Sequence, residues 1–198
     1  IVGEIDASIG RLAKLQLIAL IEPGSELRAT SEQNSAFLAE GKFGPSGITP
    51  SPDTTNSLES ASGGNNVVVQ TNAPWNLSRV CRRVTYASIS NFYFDSYGCA
   101  DVDAYILDTG VAVGHPQFQG RASHAANFTY ESNADDLNGH GTHVAGVVGA
   151  QLYGVCKQIQ IKSVKILAGN GAGNSVALLL ALQWVAQNHR KDRKSIVK

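Results

Sequence analysis

Along the first third of the chain, only one stretch repeats its apolar side chains at a usable spacing. In residues 9–22 (IGRLAKLQLIALIE), Ile9, Leu12, Leu15 and Ile18 fall at near-helical intervals and predict a short helix. From Gly41 to Asn66 bulky apolar residues almost vanish among Ser, Thr, Asn, Gly and Pro, the composition of a flexible linker or disordered segment. Beyond Val67 the pattern sharpens. Ala104 to Asp108 is an apolar run closed by a carboxylate and a Thr-Gly turn, as a buried parallel strand would be. His143 to Ala150 is built of small and apolar residues, which suits a helix lying close against a sheet. Gln160 to Leu167 alternates as a second strand does, and Ser175 to His189 reads as a long helix capped by Ser175, with a basic end. Ser195-Ile196-Val197 starts a further strand. Strand, helix, strand, helix, strand implies an α/β fold: a parallel sheet with helices on both faces over residues 67–198, preceded by a poorly structured region at 1–66.

Composition narrows the function classes. Of 198 residues, 43% are hydrophobic and 16% charged, enough apolar material for one sizeable core. A net charge of zero removes any bulk electrostatic case for nucleic acid or an anionic membrane as partner. The balance is uneven, since all His, Cys and Trp residues lie after residue 70, and that is where chemistry is expected. Leu15 to Ile21 is too short to span a bilayer. The absence of Met predicts a fragment, a processed form or an incomplete gene model. The sequons Asn76-Leu77-Ser78 and Asn127-Phe128-Thr129 permit a secretory route. Of the Cys residues, Cys81 and Cys99 bracket an insertion-like stretch and either pair or stay free, while Cys156 reads as a small buried filler.

Two motifs carry chemistry. Ile106-Leu107-Asp108-Thr109-Gly110 places an aspartate at the carboxyl end of a buried strand, the edge where open parallel sheets hold their sites. Asn138-Gly139-His140-Gly141-Thr142-His143-Val144-Ala145-Gly146 sets a histidine between glycines at a helix start. An imidazole beside a carboxylate is the base-plus-orienter pair of nucleophilic hydrolysis.

In these motifs, their order and their spacing, residues 70–198 resemble the subtilisin-like serine proteases, and the proteinase K-like branch above all. Gln70-Thr71-Asn72-Ala73-Pro74-Trp75 resembles the start of the mature enzyme in that branch. His115-Pro116-Gln117-Phe118-Gln119-Gly120-Arg121, Tyr153-Gly154-Val155, Val164-Lys165-Ile166-Leu167 and Asn170-Gly171-Ala172-Gly173 follow in the family's order. The resemblance implies a secreted serine endopeptidase acting on protein or peptide substrates as a monomer. Asp108 and His140 would be its catalytic aspartate and histidine. Gly171, Ala172 and Gly173 would offer backbone to a substrate strand, with Leu167 lining an apolar subsite. No cofactor is required. The family's Gly-Thr-Ser-Met-Ala nucleophile motif is absent from these 198 residues, so two members of a triad are present and the chain alone is expected to be inactive or binding-only. Gly173-Asn174-Ser175-Val176-Ala177 mimics that motif but falls in the wrong segment, and Ser175 suits a helix cap better. Residues 1–69 do not resemble the family's inhibitory propeptide; the N-terminal region, 1–66, is read as a divergent propeptide, mistranslated intron sequence or a disordered region.

Several residues carry blander readings. His143, one turn after His140, is expected to be a buried structural histidine rather than a metal ligand. Asp135 and Asp136 are candidates for structural calcium or simply solvated. The Arg190 to Lys194 charge run is a solvated helix end. An aspartic protease built on Asp108-Thr109-Gly110 would leave HGTHVAG without a task.

Overall fold

A computed structural model describes residues 26–29, 58–60, 66–81 and 90–198. The expected helix at 9–22 lies outside the described residues. Nine strands and three α-helices are seen among them: β1 (Glu26–Arg28), β2 (Leu58–Ser60), β3 (Val67–Gln70), α1 (Trp75–Val80), β4 (Phe92–Asp95), β5 (Val102–Asp108), β6 (Ala122–Asn127), α2 (His140–Gly149), β7 (Gln160–Lys165), β8 (Ala172–Asn174), α3 (Ser175–Asn188) and β9 (Lys194–Val197).

The main sheet has the order β6-β7-β5-β9, and every pair in it is parallel. Alternation along β5 explains why it sits inside. Ala104 and Ile106 point to one face, where they pack with Val111, Phe118, Ala145 of α2, Ile159 and Ile161. Tyr105 and Leu107 point to the other, where they meet Val164, Ile166, Leu167 and Ala181 and Val185 of α3. Helices therefore cover both faces, as the strand and helix order implied. On α2 the small residues are what allow contact: a methyl added at Gly149 would stand 2.6 Å from Ile159 Cγ2. The helix begins at His140, three residues earlier than its apolar text suggests.

A smaller antiparallel sheet, β2-β3-β4, flanks the first. Its β2 falls inside the stretch read as linker, because Leu58-Glu59-Ser60 finds a ladder partner in Val68 to Gln70. Leu77, Ala73 and Phe92 form its small core. Gln70 ties this sheet to the turn that leaves α2, its amide donating to the Leu152 carbonyl at 2.9 Å.

The cysteine expectation is overturned. Cys99 pairs with Cys156, with Cα atoms 5.8 Å apart, and Cys81 is free and exposed. Packing decides this. The turn leaving α2 is held by the Cys156 N–H on the Val148 carbonyl, and α2 lies on β5, at whose entrance Cys99 stands. The Cys81 sulfur is instead set against the Tyr93 backbone, 3.4 Å from its nitrogen. Cys156 is thus a bridge, not a filler.

Next to that bridge, Lys157 is only 2% exposed, lies 5.3 Å from the Phe92 ring and donates to the Leu152 carbonyl at 3.1 Å. Burial, aided by Arg121, pushes its amine down to about 8. The unfolded chain keeps that proton to about pH 10.4. Between those values the unfolded state binds more protons, so stability rises with pH across the window. Urea midpoints measured from pH 7.5 to 10.5 are expected to show this rise and to lose it in Lys157→Met; equal slopes in both proteins would contradict the assignment.

Candidate active site

Asp108 ends β5 and His140 opens α2, so the parallel sheet delivers both to its carboxyl edge. Their side chains meet: His140 Nδ1 lies 2.7 Å from Asp108 Oδ1. The same oxygen accepts the Thr109 N–H at 2.7 Å. In the neutral ring, a proton on Nδ1 donated to the carboxylate leaves Nε2 as an acceptor. Both side chains keep some solvent access, 20% for His140 and 12% for Asp108.

This meeting requires a very close approach of strand end and helix start. Gly139, with φ of 102°, turns the chain into the helix. A methyl on Gly141 would lie 2.1 Å from the Gly110 carbonyl oxygen and 3.0 Å from Asp108 Cβ, so position 141 admits only glycine.

Beneath the pair, the buried Lys165 of β7 donates its ammonium to the Thr109 carbonyl and forms an ion pair with Glu131 Oε2 at 3.1 Å. Glu131 Oε1 accepts the Gly169 N–H at 2.9 Å. That N–H bond, helped by the Lys165 ammonium against the opposing effect of burial, holds the Glu131 carboxyl below the usual carboxylate range. Asn138 makes a second tie, donating to the Gly169 carbonyl at 3.0 Å while accepting the His140 N–H at 3.3 Å. The loop before His140 and the 168–173 hairpin are therefore fastened together.

The hairpin holds the residues expected to carry a substrate strand. Leu167 bridges Gly173, which has no room for a side chain: a methyl there would meet Leu167 Cδ2 at 2.5 Å. Gly171, Ala172 and Gly173 present a free edge, and the chain itself fills it. β1 pairs antiparallel with β8, with Glu26 opposite Asn174, Leu27 opposite Gly173 and Arg28 opposite Ala172. The Ala29 N–H adds a bond of 2.8 Å to the Gly171 carbonyl. Leu27 packs against the apolar cluster that contains Leu167. Glu-Leu-Arg has no strand signature of its own, so nothing in the text announced this pairing.

Three further expectations change. Asn174, not Ser175, caps α3, since its extended backbone lets Oδ1 accept the Val176 N–H at 2.7 Å. His143 is exposed, because the buried positions of α2 are 141, 142, 145, 146 and 149. Asp135 and Asp136, read as calcium candidates or simply solvated, separate: Asp135 sits 3.2 Å from His124, while Asp136 is buried with both oxygens taken by N–H and O–H donors. The Asp136 oxygens therefore have no lone pair left for a cation. Among the described residues no cluster of three or more His, Cys, Asp or Glu is arranged to hold a metal. None of their helices is long and apolar enough to cross a membrane.

Residues 105–193 match the Subtilase family model. Over 132 residues the chain is 37% identical to the subtilisin-like serine protease Rho m 2.0101 of Rhodotorula mucilaginosa, covering 66% of this chain and 39% of that protein. It is 35% identical over 129 residues to the subtilisin-like serine protease Pen c 2 of Penicillium citrinum, covering 64% of this chain and 28% of that protein. A solved cold adapted subtilisin-like serine proteinase superposes with a TM-score of 0.57 at 36% identity, over 64% of this chain and 45% of the other. The chain thus spans less than half the length of the relatives it matches.

Gly141→Ala is expected to destabilise the fold by about 1–3 kcal/mol, because the clash is with backbone that cannot step aside. Gly114, with nothing within 4 Å of an added methyl, is the control, and its Ala variant should be neutral within about 0.5 kcal/mol. Urea unfolding of both measures the difference, and equal midpoints would refute the close-approach argument.

Proposed function

Because the chain belongs to the subtilisin-like serine proteases, we propose that it supplies two of the three catalytic groups of a serine endopeptidase. The 2.7 Å contact of His140 with Asp108 is the observation that carries this reading. His140 Nε2 takes the proton of a serine hydroxyl as the oxygen attacks a peptide carbonyl, then returns it to the leaving amine. Asp108 holds the ring in the Nδ1–H tautomer and stabilises the imidazolium that forms. The peptide lies along Gly171 to Gly173 as an added antiparallel strand, its backbone giving affinity and the Leu167 region taking an apolar side chain. Support for that mode comes from β1, which lies on the same edge in the same manner. We read Glu26 to Ala29 as an internal occupant of the substrate edge, in keeping with a propeptide-like role for the N-terminal region and with export of the protein.

The nucleophile is not supplied by residues 1–198. Ser175 opens a helix whose cap is its neighbour, and it belongs to that helix rather than to the pair. A chimera in which residues 105–193 replace the matching segment of an active subtilisin-like relative should hydrolyse a peptide substrate. Asp108→Asn in it should lower kcat by about 10⁴-fold. The 198-residue chain assayed beside it should show no turnover. A folded chimera without hydrolysis, or turnover by the chain alone that vanishes in Ser175→Ala, would refute the reading.

The edge is tested separately. A chain lacking residues 1–29 is expected to bind a synthetic peptide of sequence 24–30, with amide shifts confined to Gly171–Asn174 and their neighbours. Absence of those shifts at millimolar peptide would contradict the assignment of the edge.

A further inference from the structure

We infer that Asp136 is a positioning residue for the Asp108–His140 pair, acting through the hydroxyl groups of Thr109 and Thr142. The inference rests on that pair being the catalytic one. Asp136 lies in the loop before α2, is 6% exposed and touches neither member of the pair in any hydrogen bond described above. Its Oδ1 accepts from Thr109 Oγ1 at 2.8 Å, Asn138 N at 3.0 Å and Gly139 N at 2.8 Å. Its Oδ2 accepts from Thr142 N at 2.8 Å and Thr142 Oγ1 at 2.6 Å. Burial works against the charged form, but the bonds from Thr142, Gly139 and Thr109 outweigh it and leave the carboxyl below its ordinary range.

What this carboxylate does follows from hydroxyl chemistry. A threonine hydroxyl has one proton, and the direction in which it is donated fixes where the lone pairs face. Thr109 gives its proton to Asp136 and accepts the Gly141 N–H at 3.0 Å. Thr142 gives its proton to Asp136 and accepts the Ala112 N–H at 2.9 Å. Thr109 follows Asp108 directly, and Gly141 follows His140 directly. The first relay therefore staples the residue after one member of the pair to the residue after the other. The second runs the opposite way, from the helix back to the turn beyond β5. One buried charge orients both. An asparagine at 136 cannot do this, because its NH₂ would face backbone N–H groups on whichever side it turned.

The test uses the full chain and the ring proton on His140 Nδ1, followed by NMR. In the wild type that proton should be visible and protected from solvent exchange. Asp136→Asn and Thr109→Val are expected to speed its exchange by about tenfold or to abolish the signal, since losing one buried hydrogen bond changes an opening equilibrium by that order. Thr109→Ser, which keeps the hydroxyl, should restore wild-type protection, a rescue that general loss of packing would not produce. Should Asp136→Asn fail to fold, Thr109→Val against Thr109→Ser decides alone. A folded Asp136→Asn or Thr109→Val chain with unchanged exchange would overturn the role of Asp136 and leave the pair intact. A wild-type chain with no protected Nδ1 proton would overturn the pair and this inference with it.

Discussion

The candidate site depends on one constraint, the contact of a helix start with the end of a parallel strand at backbone distance. Gly141 faces the Gly110 carbonyl so closely that no side chain fits between them. With that approach made, the Asp108 carboxylate reaches the His140 ring, and Thr109 reaches the Gly141 amide. Farther along, α2 stays close to the sheet through its small residues, Ala145 and Gly149 among them. The pair is thus a consequence of how tightly the helix lies on β5, and the surrounding polar contacts hold that position rather than create it.

Around this contact the polar groups form two braces. One runs from the Thr109 carbonyl through Lys165 and Glu131 to Gly169, joining the strand end to the hairpin that takes up β1. The other runs through Asp136 and two threonine hydroxyls across the strand–helix junction. In both, a buried charge has specific partners, the condition under which burial is tolerated. The proposed chemistry needs this, because a base and its orienting carboxylate lose their use if their relative position drifts.

Much of this was legible in the text, for physical reasons. Asp108 and His140 stand out because close approach and proton transfer demand rare combinations: a carboxylate ending an apolar run, an imidazole among glycines. The apolar run of β5 and the alternating order of strands and helices announced the layered sheet. Other features depend on partners far along the chain. Cys99 meets Cys156 only because α2 returns its exit turn to the start of β5, across 57 residues. Asp136 reads like any solvated loop acid until its donors are in place. His143 shares the text of His140 but occupies another face of the helix. Glu26 to Arg28 carry no strand pattern, since their order comes from the edge they lie on.

The proposed chemistry requires Asp108 and His140 to form a hydrogen-bonded pair with the ring oriented for base catalysis. Long-range proton–nitrogen correlation spectra of the full chain, taken at a pH where the imidazole is neutral, measure this directly. His140 is expected in the Nδ1–H tautomer with Nε2 unprotonated, and Asp108→Asn is expected to disturb this state. A His140 ring in the Nε2–H tautomer, or one whose spectrum ignores the change at Asp108, would contradict this requirement.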